Sequence, residues 1–522
     1  MIQIIRTYLK RAYGTEGTWD AVVGRYPFPQ ATRRTGSVKK EYMWIWGAIL
    51  LLLVVGTPIA YTLPRERPPD DPQKYLQQHP VPQDHSHLVQ GPFETPQDVT
   101  KECLRCHPDA AKEIMSTTHW TWEGEPVNVP WRETPVSIGK KNQINNFCIS
   151  IMGNQHTCTS CHTGYGWNEN EPFDFTNPYN VDCLVCHADP TVYAKGFSGL
   201  PAEGVDLVAA AKSVRNPTRE NCGKCHFEGG GGNNVKHGDL ADSLIYPPEY
   251  QDVHMGKLDF QCTDCHRTEH HQIKGKLLSD NYIIDPDEQV HCTDCHSETP
   301  HEDDRLNFHT KSVACQTCHI PEVAPKDPTK VFWDWSKAGE DRPEDHYTYL
   351  KIKGEFVYER HVTPVYRWFN GNNAYRYILG DKIDPTKPTM INEPAGDITD
   401  PKAKIFPFKI HRAIQPYDKE YKYLLAPITS GPGGFWHDFD WDQAFRLAES
   451  VTGLKYSGEY GWTETWMYWP TTHMVQPAEH ALQCQDCHSP NGRMDWKALG
   501  YPGDPKDWGG RYQEGLVPSG GK

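Results

Sequence analysis

A mainly α, loop-rich domain organised around covalently attached groups, preceded by one transmembrane helix, is the fold class this sequence predicts. Three observations predict it. The chain has 522 residues, yet only 37% are hydrophobic, against 43 Pro, 42 Gly and 26 His, which is poor material for aliphatic cores of that extent. Sixteen of its 17 Cys fall into Cys-x-x-Cys pairs, and every pair is followed directly by His. Residues 43–63 form an uncharged, strongly apolar run, long enough to cross a bilayer core of about 30 Å as a helix.

The Cys pattern selects the attached group. Cys-x-x-Cys pairs hold zinc when taken two at a time, or act singly as redox dithiols, and neither use needs the His. The full pentapeptide is the attachment signature of c-type haem: two thiols add across the vinyl groups of one porphyrin, and the adjacent imidazole reaches the iron. The sites in chain order are Cys103, Cys106 and His107; Cys158, Cys161 and His162; Cys183, Cys186 and His187; Cys222, Cys225 and His226; Cys262, Cys265 and His266; Cys292, Cys295 and His296; Cys315, Cys318 and His319; and Cys484, Cys487 and His488. The chain therefore reads as an octahaem c-type cytochrome with eight covalently bound haem c groups. Structural disulfides are left almost no thiols. The macrocycles supply the missing apolar volume, so the polypeptide is expected to be a wrapper of loops and short helices that mostly follow the attachment sites, with little sheet.

The segments fall in order. Residues 1–42 carry eight Lys or Arg against three acidic side chains, and such a basic flank stays in the cytoplasm. A cleaved signal peptide is the competing reading of the apolar run 43–63; the long preceding segment and the absence of an A-x-A-like site in the LPRERPPDDP that follows favour a retained helix. It is expected to anchor the chain in the cytoplasmic membrane by a single pass, with the haems in the periplasm. Residues 64–98 are Pro-rich and polar and read as a stand-off linker. The octahaem domain occupies 99–522, with haems 1–7 in 103–319, an aromatic-rich haem-free segment at 320–480 and haem 8 at 484–488. That segment is expected to pack over the haems. The net charge is −15, and more negative still once the basic N-terminus is set aside, which disfavours nucleic acid as a partner.

Function turns on the sixth ligand of each iron. Two strong axial ligands make an electron carrier, whereas a substrate site needs a weak or absent distal ligand. Eighteen His remain after the proximal eight. Those close to attachment sites are the distal candidates: His119, His237, His254, His270, His271, His301, His309, His473 and His480. His79, His85 and His87 sit in the linker and read as solvated, while His156 and His291 directly precede a motif Cys and are constrained.

The run CHFEGGGGNNVKHGDL, the stretches DFQCTDCHRTEHHQIKG and LNFHTKSVACQTCHIP, the segment TPVYRWFNG and the segment PFKIHRAIQPYD together resemble the octahaem tetrathionate reductase family over roughly residues 98–495. The resemblance implies seven bis-His haems and a catalytic second haem whose distal ligand is a lysine, with an unpaired cysteine close by. Lys236 matches that lysine, Cys148 that cysteine, and Asn145 a polar residue of the pocket. It implies two-electron reduction of tetrathionate to thiosulfate, a small inorganic oxyanion as substrate and calcium near the active haem, which no local motif here locates. His237, beside Lys236, is expected to turn away and ligate a neighbouring haem. The N-terminal helix departs from the soluble form of the family and leaves a quinol-linked or cytochrome donor open. Other readings also stand: reduction of nitrite or hydroxylamine, oxidation of hydroxylamine, or a membrane-tethered electron conduit without catalysis.

Overall fold

The computed structural model describes Ile45, Ala48 and residues 72–517, apart from 148, 168–171, 277–283 and 514. The basic N-terminus, nearly all of the 43–63 run and Cys148 therefore lie outside the described residues. Among the described residues no helix is long and apolar enough to cross a membrane. Contacts divide the chain into two units, Met1–Asp71 and Pro72–Lys522; the second carries all that follows.

The described part of residues 72–319 contains short helices and one hairpin, Thr268–Glu269 against Gln272–Ile273, and most of its α-helices hold or end in an attachment motif rather than follow one. Helix α1, Pro96–Leu104, starts at a reciprocal cap in which Thr95 N and Oγ1 both donate to Asp98, at 2.9 and 2.7 Å. It buries Val99 and Thr100 and delivers Cys103 in its last turn. Helix α2, Ala110–Met115, precedes His119. Helix α3, Arg219–His226, contains a complete motif, and its buried Arg219 donates to the carbonyls of Ile245 and Phe260 at 2.9 and 3.0 Å. Helix α4, Asp304–His309, is followed at once by α5, Cys315–His319. The intervals between them are turns, as expected for a chain that wraps ligands rather than packs helices.

The haem-free segment overturns the expectation of a mainly α domain with little sheet. It folds into a seven-stranded sheet: β1 Thr329–Asp334, β2 Tyr349–Leu350, β3 Gly354–Glu359, β4 Val365–Phe369, β5 Thr389–Met390, β6 Lys404–Asp418 and β7 Tyr460–Pro470. The strand order is β2-β3-β1-β6-β7-β5, with β4 also paired to β6. Strands β6 and β7 run antiparallel from Phe408 opposite Pro470 to Asp418 opposite Tyr460. Their sequences, KIFPFKIHRAIQPYD and YGWTETWMYWP, are rich in aromatic and β-branched residues, which suit a pleated surface. Where no porphyrin is attached, this segment builds its own core: Trp333, Trp335, Phe356, Met467 and Trp469 pack with Phe435, Trp441 and Phe445. Phe445 lies on helix α6, Trp441–Thr452, which Asp440 caps through Gln443 N.

The 64–98 stretch is also not a free spacer over its described part. Gln77 pairs its side-chain amide with the backbone of Thr268, donating at 3.0 Å and accepting at 3.1 Å. Arg267 donates to the Tyr75 carbonyl at 2.7 Å, and Asn216 to that of Pro80 at 3.0 Å. Residues 72–88 thus lie strapped along the haem-bearing body.

Candidate functional site

The proximal histidines face other imidazoles across a nearly constant gap. His85 stands opposite His107 at 6.4 Å between ring centroids, His271 opposite His187 at 6.4 Å, and His119 opposite His226 at 6.3 Å. His473 faces His266 at 6.1 Å, His254 faces His296 at 6.1 Å, His301 faces His319 at 6.2 Å and His309 faces His488 at 6.2 Å. Two metal–nitrogen bonds of about 2.0 Å each, plus the offset of each nitrogen from its ring centre, require a separation of about 6.2 Å. Seven of the eight motifs therefore present the geometry that a bis-imidazole iron needs, and the residues fit the haem.

Two sequence expectations change here. His237, a distal candidate by sequence, packs its ring against Trp469 at 4.5 Å and stands opposite none of the proximal imidazoles among the described residues. His85, read as solvated, faces His107 instead, because the strapped segment carries it there. Of the other nearby candidates, His270 bonds Glu113 at 3.0 Å on the surface, and His480 is exposed.

The motifs are ordered in space. The thiols of Cys103 and Cys183, of Cys222 and Cys262, and of Cys292 and Cys315 lie side by side. Cys186 sits in the electrostatic neighbourhood of Cys222, Cys265 in that of Cys295, and Cys318 in that of Cys484. Sites 1, 3, 4, 5, 6, 7 and 8 thus form one continuous run. Site 2 joins it at site 4, where Cys161 meets Cys225.

His162 of site 2 differs from the other seven proximal histidines. It has no imidazole opposite it among the described residues; its ring is enclosed by Trp120, Trp167 and Phe173 at 5.4, 4.8 and 5.4 Å. Its Nε2 lies 2.8 Å from the Trp120 carbonyl, a bond that iron ligation by this nitrogen must replace. Burial pushes the imidazole down to about 3. The backbone of the motif is pinned by the buried Lys195, which donates to the carbonyls of His162 and Gly164 at 2.5 and 2.9 Å and pairs with Asp182 at 3.1 Å.

Lys236 lies near this motif, and the loop that carries Asn145 packs against the glycine run that leads to Lys236. The charge of Lys236 acts on the Cys161 sulfur, so that amine lies within electrostatic reach of site 2. The glycine run that precedes Lys236 is packed rather than slack. Gly230 adopts φ +87°, and a Cβ there would meet the Phe147 ring at 2.5 Å. Phe147 belongs to the loop of Asn145, whose Oδ1 accepts from Phe147 N at 3.2 Å. Cys148 follows directly in that loop and lies outside the described residues.

Strand β6 forms the wall behind both loops. Lys409, His411, Ala413 and Gln415 are all buried and lie on one face of the strand, as its period of two dictates. Lys409 donates to the carbonyls of Val235 and Lys236 at 2.7 and 3.1 Å, and Gln415 to that of Asn145 at 2.8 Å. Burial pushes the Lys409 amine well below its ordinary range. It also favours the neutral form of His411, both of whose ring nitrogens lack a hydrogen-bond partner among the described residues. Lys353 donates to the Gly231 carbonyl at 3.3 Å. The signal these residues leave in the sequence is Lys409, His411 and Gln415 falling at even spacing on one face of β6.

Comparison with known proteins agrees with this arrangement. A family model described as bacterial cytochrome c matches residues 330–491, which span the sheet and haem 8. An uncharacterised protein of Archaeoglobus fulgidus is 26% identical over 240 residues, 36% of this chain and 80% of the relative. The crystal structure of octahaem cytochrome c from Shewanella oneidensis superposes with a TM-score of 0.75 at 46% identity, covering 81% of this chain and 98% of the other. With eight attachment motifs, seven imidazole pairs and that match over nearly the whole of a relative, the chain belongs to the octahaem tetrathionate reductase family of c-type cytochromes, its haem-bearing part extracytoplasmic.

Proposed function

We propose that this cytochrome reduces a small sulfur oxyanion, tetrathionate, at haem 2, and that the seven imidazole-paired sites carry electrons to it. The observation that carries this reading is the contrast between seven facing imidazole pairs and His162, which has none among the described residues. An iron between two imidazoles has no position for a substrate, whereas a displaceable ligand leaves one. The bound haem supplies one-electron reduction and an iron able to accept a donor atom. Lys236 is the displaceable ligand in this reading. Its amine, with a reference pKa of about 10.4, ligates only after losing its proton, and regaining a proton frees the position.

The remaining groups hold and exclude. Lys353 brings an ammonium group to the glycine loop that leads to Lys236 in a protein whose net charge is −15, which favours approach of a dianion to this locality, while the buried Lys409 fixes the backbone of Val235 and Lys236. Asn145 is fixed by Gln415 and Phe147, and Cys148 is assigned to the pocket on the family resemblance. Two electrons break the central S–S bond of tetrathionate and two thiosulfates leave, with no proton consumed. Residues 43–63 anchor the domain in this reading, so that a quinol-linked or cytochrome donor in or at the membrane feeds it. Steady-state oxidation of the reduced holoprotein by tetrathionate, nitrite and hydroxylamine, compared side by side, tests the assignment. The expected result is fastest turnover with tetrathionate, and turnover only with a nitrogen substrate would overturn it.

A further inference from the structure

The seven imidazole pairs are not equivalent in what holds the far side of each ring. At sites 1, 3, 5 and 8 one imidazole bonds a backbone carbonyl through Nδ1: His85 that of Gln83 at 2.8 Å, His187 that of Arg215 at 3.0 Å, His266 that of Lys274 at 2.8 Å and His309 that of Arg305 at 2.8 Å. At sites 3, 5 and 8 the opposite imidazole bonds a carboxylate. His271 Nδ1 lies 2.6 Å from Glu113 Oε2, and His488 Nδ1 lies 2.6 Å from Asp504 Oδ1. His473 Nδ1 lies 3.3 Å from Asp239 Oδ2 and 3.0 Å from Thr472 Oγ1, and that carboxylate oxygen also accepts from the backbone N–H groups of Thr472 and His473. At site 7, by contrast, His301 Nδ1 is buried and has no hydrogen-bond partner among the described residues.

We propose that Glu113, Asp239 and Asp504 are potential-setting residues that make haems 3, 5 and 8 the low-potential members of the run. A carboxylate on the outer nitrogen draws the proton away from the ring, makes the inner nitrogen a stronger donor and adds negative charge beside the iron. All three effects favour the ferric state. The spatial order gives this a consequence for routing. Sites 3 and 5 flank site 4, and site 4 is where site 2 joins the run. Electrons held at sites 3 and 5 therefore move downhill into site 4 from both sides, one at a time, and site 4 is the gateway to the substrate. Asp504 sets the far end of the run in the same way, offset in part by Lys506, whose Nζ lies 3.3 Å from it.

This inference rests on the ligand assignment above, and the test separates the two. The full-length holoprotein, its haem content confirmed at eight per chain, is titrated by spectroelectrochemistry with EPR of poised samples. Seven bis-imidazole signals in the parent are required; their absence would defeat the ligand assignment itself. Asp504→Asn and Glu113→Gln should each raise one midpoint by at least a tenfold change in the oxidised-to-reduced ratio, about 59 mV for a one-electron couple. Asp486→Asn is the charge control. Asp486 lies within the haem 8 motif but bonds Gln483 N rather than a ligand, so its removal should move that midpoint less. Unchanged midpoints in the first two variants, or an equal shift in the control, would overturn the proposal. Glu113 is partly exposed at the surface, so Glu113→Gln keeps the test available should Asp504→Asn fail to fold.

Discussion

His85 and His107 face each other at 6.4 Å across site 1, although His85 lies in a Pro-rich stretch whose composition reads as spacer. The segment is held by Tyr75, Gln77 and Pro80, which bond residues beside sites 5 and 3. His85→Ala should convert one haem of eight to a high-spin or solvent-ligated form and leave the other six paired sites unchanged. Magnetic circular dichroism of the oxidised protein counts the two classes.

Removing the amine of Lys236 should act on a different haem. Lys236→Ala is expected to abolish the distinct ligand signature of haem 2, leave the seven imidazole pairs intact and lower tetrathionate turnover roughly 100-fold, the scale of losing one group that acts at a reacting centre. EPR and steady-state kinetics on the same sample check both parts. An unaltered spectrum would remove Lys236 from the site.

Gly230 is constrained both by its backbone and by its neighbour. With φ +87° and the Phe147 ring where a Cβ would stand, Gly230→Ala should cost about 1–3 kcal/mol. It should also disturb the haem 2 signal more than any other, because it displaces the loop that leads to Lys236. Thermal unfolding and EPR of the variant measure the two effects.

Acid should loosen helix α1 through its cap. Asp98 is lowered to about 2 by its bond to Lys101 and then by those to Thr95. Since the folded value lies below the ordinary 3.8, its contribution is present above pH 3.8 and is lost as pH falls towards 2. Asp98→Asn should flatten the acid dependence of α1 in that window, followed by circular dichroism and by the absorbance of haem 1, whose first Cys lies in the last turn of the helix.

The attachment sites are legible in the sequence because covalent chemistry fixes their spacing. Distal partners that lie near a motif, such as His301 before His319, are legible for a related reason: a short loop has few places to go. His85 is not, since what holds it are backbone bonds made by Gln77 and Pro80, which composition does not display. His237 misleads by adjacency to Lys236, because consecutive side chains diverge and its own ring is taken by Trp469. The sheet escapes the sequence reading because the aromatic residues of 320–480 suit contact with porphyrin edges as well as a core of their own. There, Trp333, Phe356, Phe435 and Trp469 build that core. Lys409 and His411 are polar residues buried by strand periodicity, and their meaning appears only once β6 is seen behind the loops of Asn145 and Lys236.

The central claim is that one haem of eight is built differently from the rest. EPR of the oxidised full-length holoprotein, before and after addition of tetrathionate, tests it most directly. Seven low-spin bis-imidazole signals unaffected by the anion, with one distinct signal that changes on its addition and is missing in Lys236→Ala, is the expected result. Eight bis-imidazole signals that ignore tetrathionate would contradict it.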